Sequence, residues 1–130
     1  MLIGVYFCKV GKDGKIIIPL KLREKIENEI FIFETKNCLY LYSNEEKFKK
    51  FLEKTKNNDQ KRAFLASIVE RKIDKQGKLK ISDFKNFYLE EDKKIVIVEK
   101  NDYLQIWSEE KWIKQVLEKE EGRKEEYSLP

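Results

Sequence analysis

The chain has 130 residues, with 28 Lys+Arg against 24 Asp+Glu and a formal net charge of +4. That length holds one compact domain or two small, closely packed ones, and a hydrophobic share of 41% with eight Phe, six Tyr and two Trp excludes wholesale disorder. Charged residues are 40% of the chain but nearly cancel, so it is no generic polycation, and any nucleic-acid binding rests on clustered lysines.

In chain order, Leu2, Val5 and Phe7 predict a short strand whose apolar residues do not alternate cleanly. Gly11 to Gly14 is a polar turn in which glycine lets φ go positive. Ile16, Ile17 and Ile18 predict a buried strand ended by Pro19, which has no N–H for a central ladder. Leu22 and Ile26, four apart, predict a short helix over residues 20–26. The β-rich runs 30–33 and 38–42 flank polar residues 34–37 and predict a hairpin. Ser43 and Glu46 predict a capping box for a helix with Phe48, Phe51 and Leu52 as its apolar stripe. A polar connection over 54–60 leads to a second helix with Phe64, Leu65 and Ile68 inward.

The order then repeats. Ile73 opens a strand and turn, Leu79 and Ile81 alternate as a strand, and residues 83–89 predict a short helix or turn. Residues 95–98 correspond to 30–33, and 103–107 to 38–42. Ser108 precedes a helix with Trp112, Ile113, Val116 and Leu117 on one side, and residues 119–130 read as a charged tail or a frayed helix end. Gly14 and Gly77 are 63 residues apart, Leu39 and Leu104 are 65 apart, and the order of turn, strand, helix, hairpin and capped helix is kept, so the unit is duplicated. The expected divisions are a first repeat over 1–55, a helical connection over 56–71, a second repeat over 72–119 and a charged C-terminal tail over 120–130.

Five segments carry a resemblance: Met1-Leu2 with Gly4 and Tyr6; Gly14, Ile16, Ile18 and Pro19 followed by Arg23-Glu24; residues 38–42; Ile73-Asp74-Lys75-Gln76-Gly77-Lys78; and residues 104–107 with Trp112. In that joint order, across about the whole chain, they resemble the MraZ family, tandem members of the AbrB-like swapped-hairpin DNA-binding proteins. The resemblance implies an α+β fold of two AbrB-like halves with pseudo-two-fold symmetry, assembled into a ring-shaped homo-oligomer. It also implies a cytoplasmic, nucleoid-associated repressor of the division and cell-wall gene cluster, binding short G-rich direct repeats in double-stranded promoter DNA through its signature loops. The chain departs from the family in three ways. The signature Asp, kept as Asp74, is Gly11 in the first half; the signature Arg is Lys15 and Lys78; and Ser82 stands where the family usually has proline. Lysine is a flexible point charge where arginine reads guanine with a bidentate fork, so weaker base discrimination is expected, with the second turn keeping more of the signature than the first.

The candidate DNA-binding residues are therefore Lys12, Lys15, Asp74, Lys75 and Lys78. Lys15 and Lys78 are placed for base or phosphate contact, with Lys12 and Lys75 adding backbone charge. Lysines in turns are often merely solvated, but equivalent placement in both copies favours function. Asp74 either holds a neighbouring cation or bonds its own backbone, two compatible roles. Arg23-Glu24 reads as part of a salt-bridged helix face, and Tyr40, Tyr42, Tyr103 and Trp107 as core or interface rather than base-stacking platforms.

Catalysis is not expected. There is no His, no nucleophile elbow, and no phosphate loop, because the Gly11–Gly14 turn is followed by a strand. Cys8 and Cys38 are too few for a closed zinc site and read as core residues in a reducing compartment. No metal, cofactor, small-molecule substrate or membrane partner is expected. Two other functions remain open: a ring-forming interaction protein without promoter recognition, and an antitoxin-type AbrB regulator with a partner toxin.

Overall fold

The computed structural model describes residues 2–27, 29–55, 57–88 and 93–128; Met1, Lys56, Leu89 and the last two residues of the expected tail lie outside them. The elements are β1 (Leu2–Lys9), β2 (Lys15–Ile17), α1 (Leu20–Arg23), β3 (Glu29–Glu34), β4 (Leu39–Tyr42), α2 (Glu45–Lys54), α3 (Asn58–Ser67), β5 (Val69–Lys72), β6 (Lys78–Lys80), a 3-10 helix (Lys85–Phe87), β7 (Lys94–Lys100), β8 (Leu104–Ser108) and α4 (Glu109–Ser128).

Six strands form one sheet in the order β1-β7-β8-β4-β3-β5, and β2 pairs with β6 as a separate ribbon. Exchanging each strand for its counterpart in the other copy returns the same order read backwards. A pseudo-two-fold axis therefore runs between β4 and β8 and through the ribbon. The halves also trade strands: β1 pairs with β7 of the second copy, and β5 with β3 of the first. The fold is thus α+β, built of two β/α halves that share one sheet.

Side-chain alternation explains why the central strands read as unbroken apolar runs. Ile30, Ile32, Leu39, Leu41, Ile95, Ile97, Leu104 and Ile106 point to one face, where Ile16, Ile18, Leu79, Ile81 and Phe87 cover them. On the opposite face, Phe33 and Tyr42 pack with Phe48, Phe51 and Phe64 of α2 and α3, while Val96, Val98 and Trp107 pack with Trp112 of α4. A sheet buried on both faces needs no polar alternation. Phe33 anchors the aromatic layer, with ring centroids 4.9 Å from Tyr40, 5.4 Å from Phe51 and 4.9 Å from Phe64. Contacts of this kind add about 0.5–1.5 kcal/mol each beyond burial.

Two equivalent glutamates latch the halves together. Glu34, at the end of β3, accepts hydrogen bonds from the Lys85 and Asn86 N–H groups of the 3-10 helix. Glu99 on β7, 5% exposed, accepts from Lys25 Nζ at 3.1 Å and from the Tyr6 hydroxyl at 3.2 Å. Each carboxylate thus grips the short helical segment of the other half.

Several local expectations are corrected. The α2 cap is Asn44, whose side chain accepts the Lys47 N–H at 3.1 Å, rather than Ser43. α3 starts inside the expected connection, because Asn57 caps it through the Asp59 and Gln60 N–H groups. The segment 56–71 ends in β5, whose half-buried Val69 and Arg71 alternate with exposed Glu70 and Lys72. Leu65 is 58% exposed because Phe64 and Ile68, four apart, take the inward face of α3. The helix expected over 20–26 is regular only through Arg23, and α4 continues to Ser128 through the expected tail. Ser108 does cap α4, its hydroxyl accepting the Lys111 N–H at 3.2 Å.

Ile106→Ala, at a fully buried central position, is expected to lower the unfolding free energy by about 2–5 kcal/mol, and Asn44→Ala by about 1 kcal/mol, both read by urea denaturation.

Candidate nucleic-acid interface

The ribbon brings the two signature turns together. Lys15 lies opposite Lys80, Ile16 opposite Leu79, and Ile17 opposite Lys78. Ile16 and Leu79 point inward and are buried, so Lys15, Ile17, Lys78 and Lys80 share the outer face. Ile17, expected in a buried strand, is 54% exposed there, because only every second residue of a ribbon can face the core.

The two turns have one backbone design. Gly11 N–H donates to the Lys15 carbonyl at 2.9 Å, and Asp74 N–H to the Lys78 carbonyl at 3.1 Å. Gly14 N–H then donates to the Gly11 carbonyl, and Gly77 N–H to the Asp74 carbonyl. Both closing glycines have positive φ, 75° and 77°, the left-handed region where a Cβ is strained. Each turn also docks on the other half: Ile18 N–H donates to the Gly77 carbonyl at 2.8 Å, and Ile81 N–H to the Gly14 carbonyl at 3.1 Å. Ser82 N–H adds a bond to the Gly14 carbonyl at 3.2 Å that proline cannot make, which gives the Ser82 departure a structural role.

Side chains cross between the turns. Asp74 Oδ1 accepts the Gln76 and Lys78 N–H groups at 2.9 Å each, while its Oδ2 lies 3.5 Å from Lys15 Nζ of the other turn. In the first turn, Asp13 Oδ1 accepts the Lys15 N–H at 3.1 Å, and its Oδ2 lies 3.3 Å from Lys78 Nζ. The two aspartates and two lysines form a closed, reciprocal quartet. Both carboxyls are held below the ordinary aspartate range, chiefly by the backbone N–H of Lys15 on Asp13 and of Lys78 on Asp74.

Of the residues expected from the sequence, Lys15, Asp74 and Lys78 are thus brought together, while Lys12 and Lys75 stand exposed on the turns without an ion pair among the described residues. Asp74 makes both contacts considered for it, to a neighbouring lysine and to the backbone of its own turn. Asp13 was missed, although an acid two residues before the turn lysine was a legible signal. Lys80 was also missed; its alternation with Leu79 was the signal. The salt-bridged face expected for Arg23-Glu24 is not formed among the described residues. Arg23 instead lies over Gly77, where an added Cβ would fall 2.7 Å from its Cδ, and its buried Nε has no hydrogen-bond partner. Arg71, fixed by both carboxylate oxygens of Asp83 and by the Lys80 carbonyl at 2.7 Å, stacks over Phe84 and ties β5 to the end of β6. Among the described residues, no three His, Cys, Asp or Glu side chains stand together as metal ligands, and no helix is long and apolar enough to cross a membrane.

Two successive segments, residues 1–67 and 64–128, match the family model described as "MraZ protein, putative antitoxin-like". The chain is 36% identical over 124 residues to the transcriptional regulator MraZ of Caldicellulosiruptor bescii, which covers 89% of this chain and 87% of that protein. It is 34% identical over 120 residues to the transcriptional regulator MraZ of Lactobacillus helveticus, and 32% identical over 120 residues to that of Caldanaerobacter subterraneus subsp. tengcongensis, covering in each case 86% of this chain and 84% of the relative.

Gly77→Ala is expected to destabilise by about 1–3 kcal/mol, from the strained φ and from contact with Arg23. Adding Arg23→Ala relieves only the contact, so the double variant is expected to lose less stability in chemical denaturation than the sum of the two single losses. The depressed aspartate pKa values mean that the turn bonds contribute stability above the ordinary carboxylate range, a contribution lost as pH falls through the folded values. The Lys15, Gln76 and Lys78 amide resonances are expected to titrate in acid with midpoints below the 3.8 of an unperturbed aspartate.

Proposed function

The chain belongs to the MraZ family, and on that premise we propose that it is a DNA-binding transcriptional repressor of the division and cell-wall gene cluster. Its reading surface is the outer face of the ribbon with both turns, and its operators are short G-rich direct repeats in double-stranded promoter DNA. The observation that carries this reading is the crossing of Lys15 and Lys78 onto each other's turns, which joins the two loops into one surface whose excess positive charge comes from the lysines around it. Lys80 beside Lys15, and the exposed Lys12 and Lys75, extend it as flanking charge for phosphates.

The protein acts as a ring of identical copies, associated with the nucleoid, in which several ribbons face the DNA together. Support for assembly comes from α4, where Ile113, Val116 and Leu117 are 44%, 38% and 56% exposed at helical spacings of three and four. Repetition of one weak reading surface around a ring raises avidity without any new contact. It thereby offsets the looser base discrimination of lysine relative to arginine.

Titration of duplexes carrying short G-rich direct repeats, against scrambled duplexes at several salt concentrations, tests this. The expected result is preference for the repeats, lost in the Lys15→Ala/Lys78→Ala variant, with the slope of log K against log salt reduced by about 2 for each ribbon engaged. Equal weak binding to both duplexes at every salt concentration overturns promoter recognition and leaves a ring-forming interaction protein. The antitoxin-like wording of the family description favours a second reading, in which the C-terminal segment holds a partner toxin. Co-purification of a partner that is lost when residues 122–130 are deleted would support it.

A further inference from the structure

The first turn lacks the acid that the family resemblance places at residue 11, yet it still sets a carboxylate 3.3 Å from the Lys78 ammonium, as the second turn sets one 3.5 Å from that of Lys15. We propose that Asp13 is the positioning residue of the first turn, a relocated signature acid that aims Lys78 at DNA, and that Gly11 is the vacancy that admits it. This rests on the reading that the two turns contact DNA, and it names how their lysines are oriented.

Three observations carry it. First, Asp13 reproduces the bonding of Asp74 with both oxygens: Oδ1 on the lysine N–H of its own turn, Oδ2 on the ammonium of the other. Second, the backbone at residue 11 is not what excludes a side chain. Asp74 occupies the equivalent position with the same turn bonds and carries a carboxylate there. What a Cβ on Gly11 would meet is Asp13 Oδ1, at 2.9 Å, followed by the Lys15 carbonyl at 3.4 Å. Third, the exchange is reciprocal. Where the first turn has Gly11 and Asp13, the second has Asp74 and Gln76, so each turn brings one carboxylate to the equivalent bonding position from a different point of the chain.

A carboxylate that merely neutralised Lys78 would weaken DNA binding, since it adds negative charge to the surface. A carboxylate that orients Lys78 weakens non-specific binding in the same way but sharpens discrimination, because a lysine held in one pose meets fewer wrong base edges. The two roles therefore move affinity for scrambled DNA in the same direction, but only the orienting role changes discrimination.

The experiment compares Asp13→Ala, Asp13→Asn and Gly11→Ala with the parent chain, full length, for binding to repeat and scrambled duplexes. Asp13→Ala and Asp13→Asn are expected to bind scrambled DNA about 2–5 times tighter while the ratio of repeat to scrambled affinity falls about 5–10-fold. Gly11→Ala is expected to reproduce the loss of ratio, with no further loss in an Asp13→Ala background. In a Lys78→Ala background, Asp13→Ala is expected to leave the ratio unchanged. An unchanged ratio in a discriminating parent overturns the proposal, as does an equal effect of Asp13→Ala with and without Lys78. A DNA-free arm separates this from failure of the promoter reading: in the free protein, Asp13→Asn should shift the Lys78 side-chain ammonium resonance and not that of Lys80. If the parent shows no preference for the repeats, the promoter reading falls, while an unmoved Lys78 resonance overturns the positioning role on its own.

Discussion

The strand exchange between the halves is the constraint on which the rest of the structure depends. Neither copy can complete its own sheet: β1 finds its partner in β7, β5 in β3, and the two hairpins meet only at the β4–β8 seam. Removing one copy would strip a partner from all four strands of the other and open both apolar faces at once. The halves must therefore fold together. Glu34 and Glu99, each gripping the other half's short helical segment, reinforce this at the two ends of the sheet.

The outer face of the ribbon is a by-product of that exchange. Because each copy gives away its first strand, the short strand that follows is left to pair with its twin across the axis, and the ribbon results. The turns ahead of β2 and β6 then lie close enough for lysines and aspartates to cross. Each turn is also braced by backbone bonds to the opposite half, from Ile18 to Gly77 and from Ile81 to Gly14. Exposed ion pairs of this sort contribute little to stability on their own. Their effect is on direction, since they fix where two flexible side chains point.

The duplication, the hairpins, the core-facing residues and the turn lysines were legible in the sequence because each rests on a local period or a glycine at a fixed place. What was not legible depends on partners distant in sequence. β5 carries too few apolar residues to look like a strand, and it is one only because β3 offers an edge. Ile17 matches its neighbours in composition but not in surroundings, since a two-stranded ribbon has one dry face. Arg23 could not be placed over Gly77 without knowing that α1 packs against the other half's turn. Asp13 was overlooked for a simpler reason: aligning the copies position by position hides an acid that has moved two residues along one turn. The MraZ resemblance supplied the overall plan, and the relatives' similarity over most of the chain agrees with it.

Ile17 and Lys80 hold equivalent positions in the two copies, yet one is an aliphatic side chain and the other an ammonium. The quartet between them obeys the pseudo-symmetry; its flanks do not. One flank of the outer face sets Lys15 beside Lys80, and the other sets Lys78 beside Ile17. Turned end over end on a duplex, the same face would present a methyl-bearing edge where it had presented a charge. The surface therefore has a heading: it is an arrow rather than a mirror image of itself.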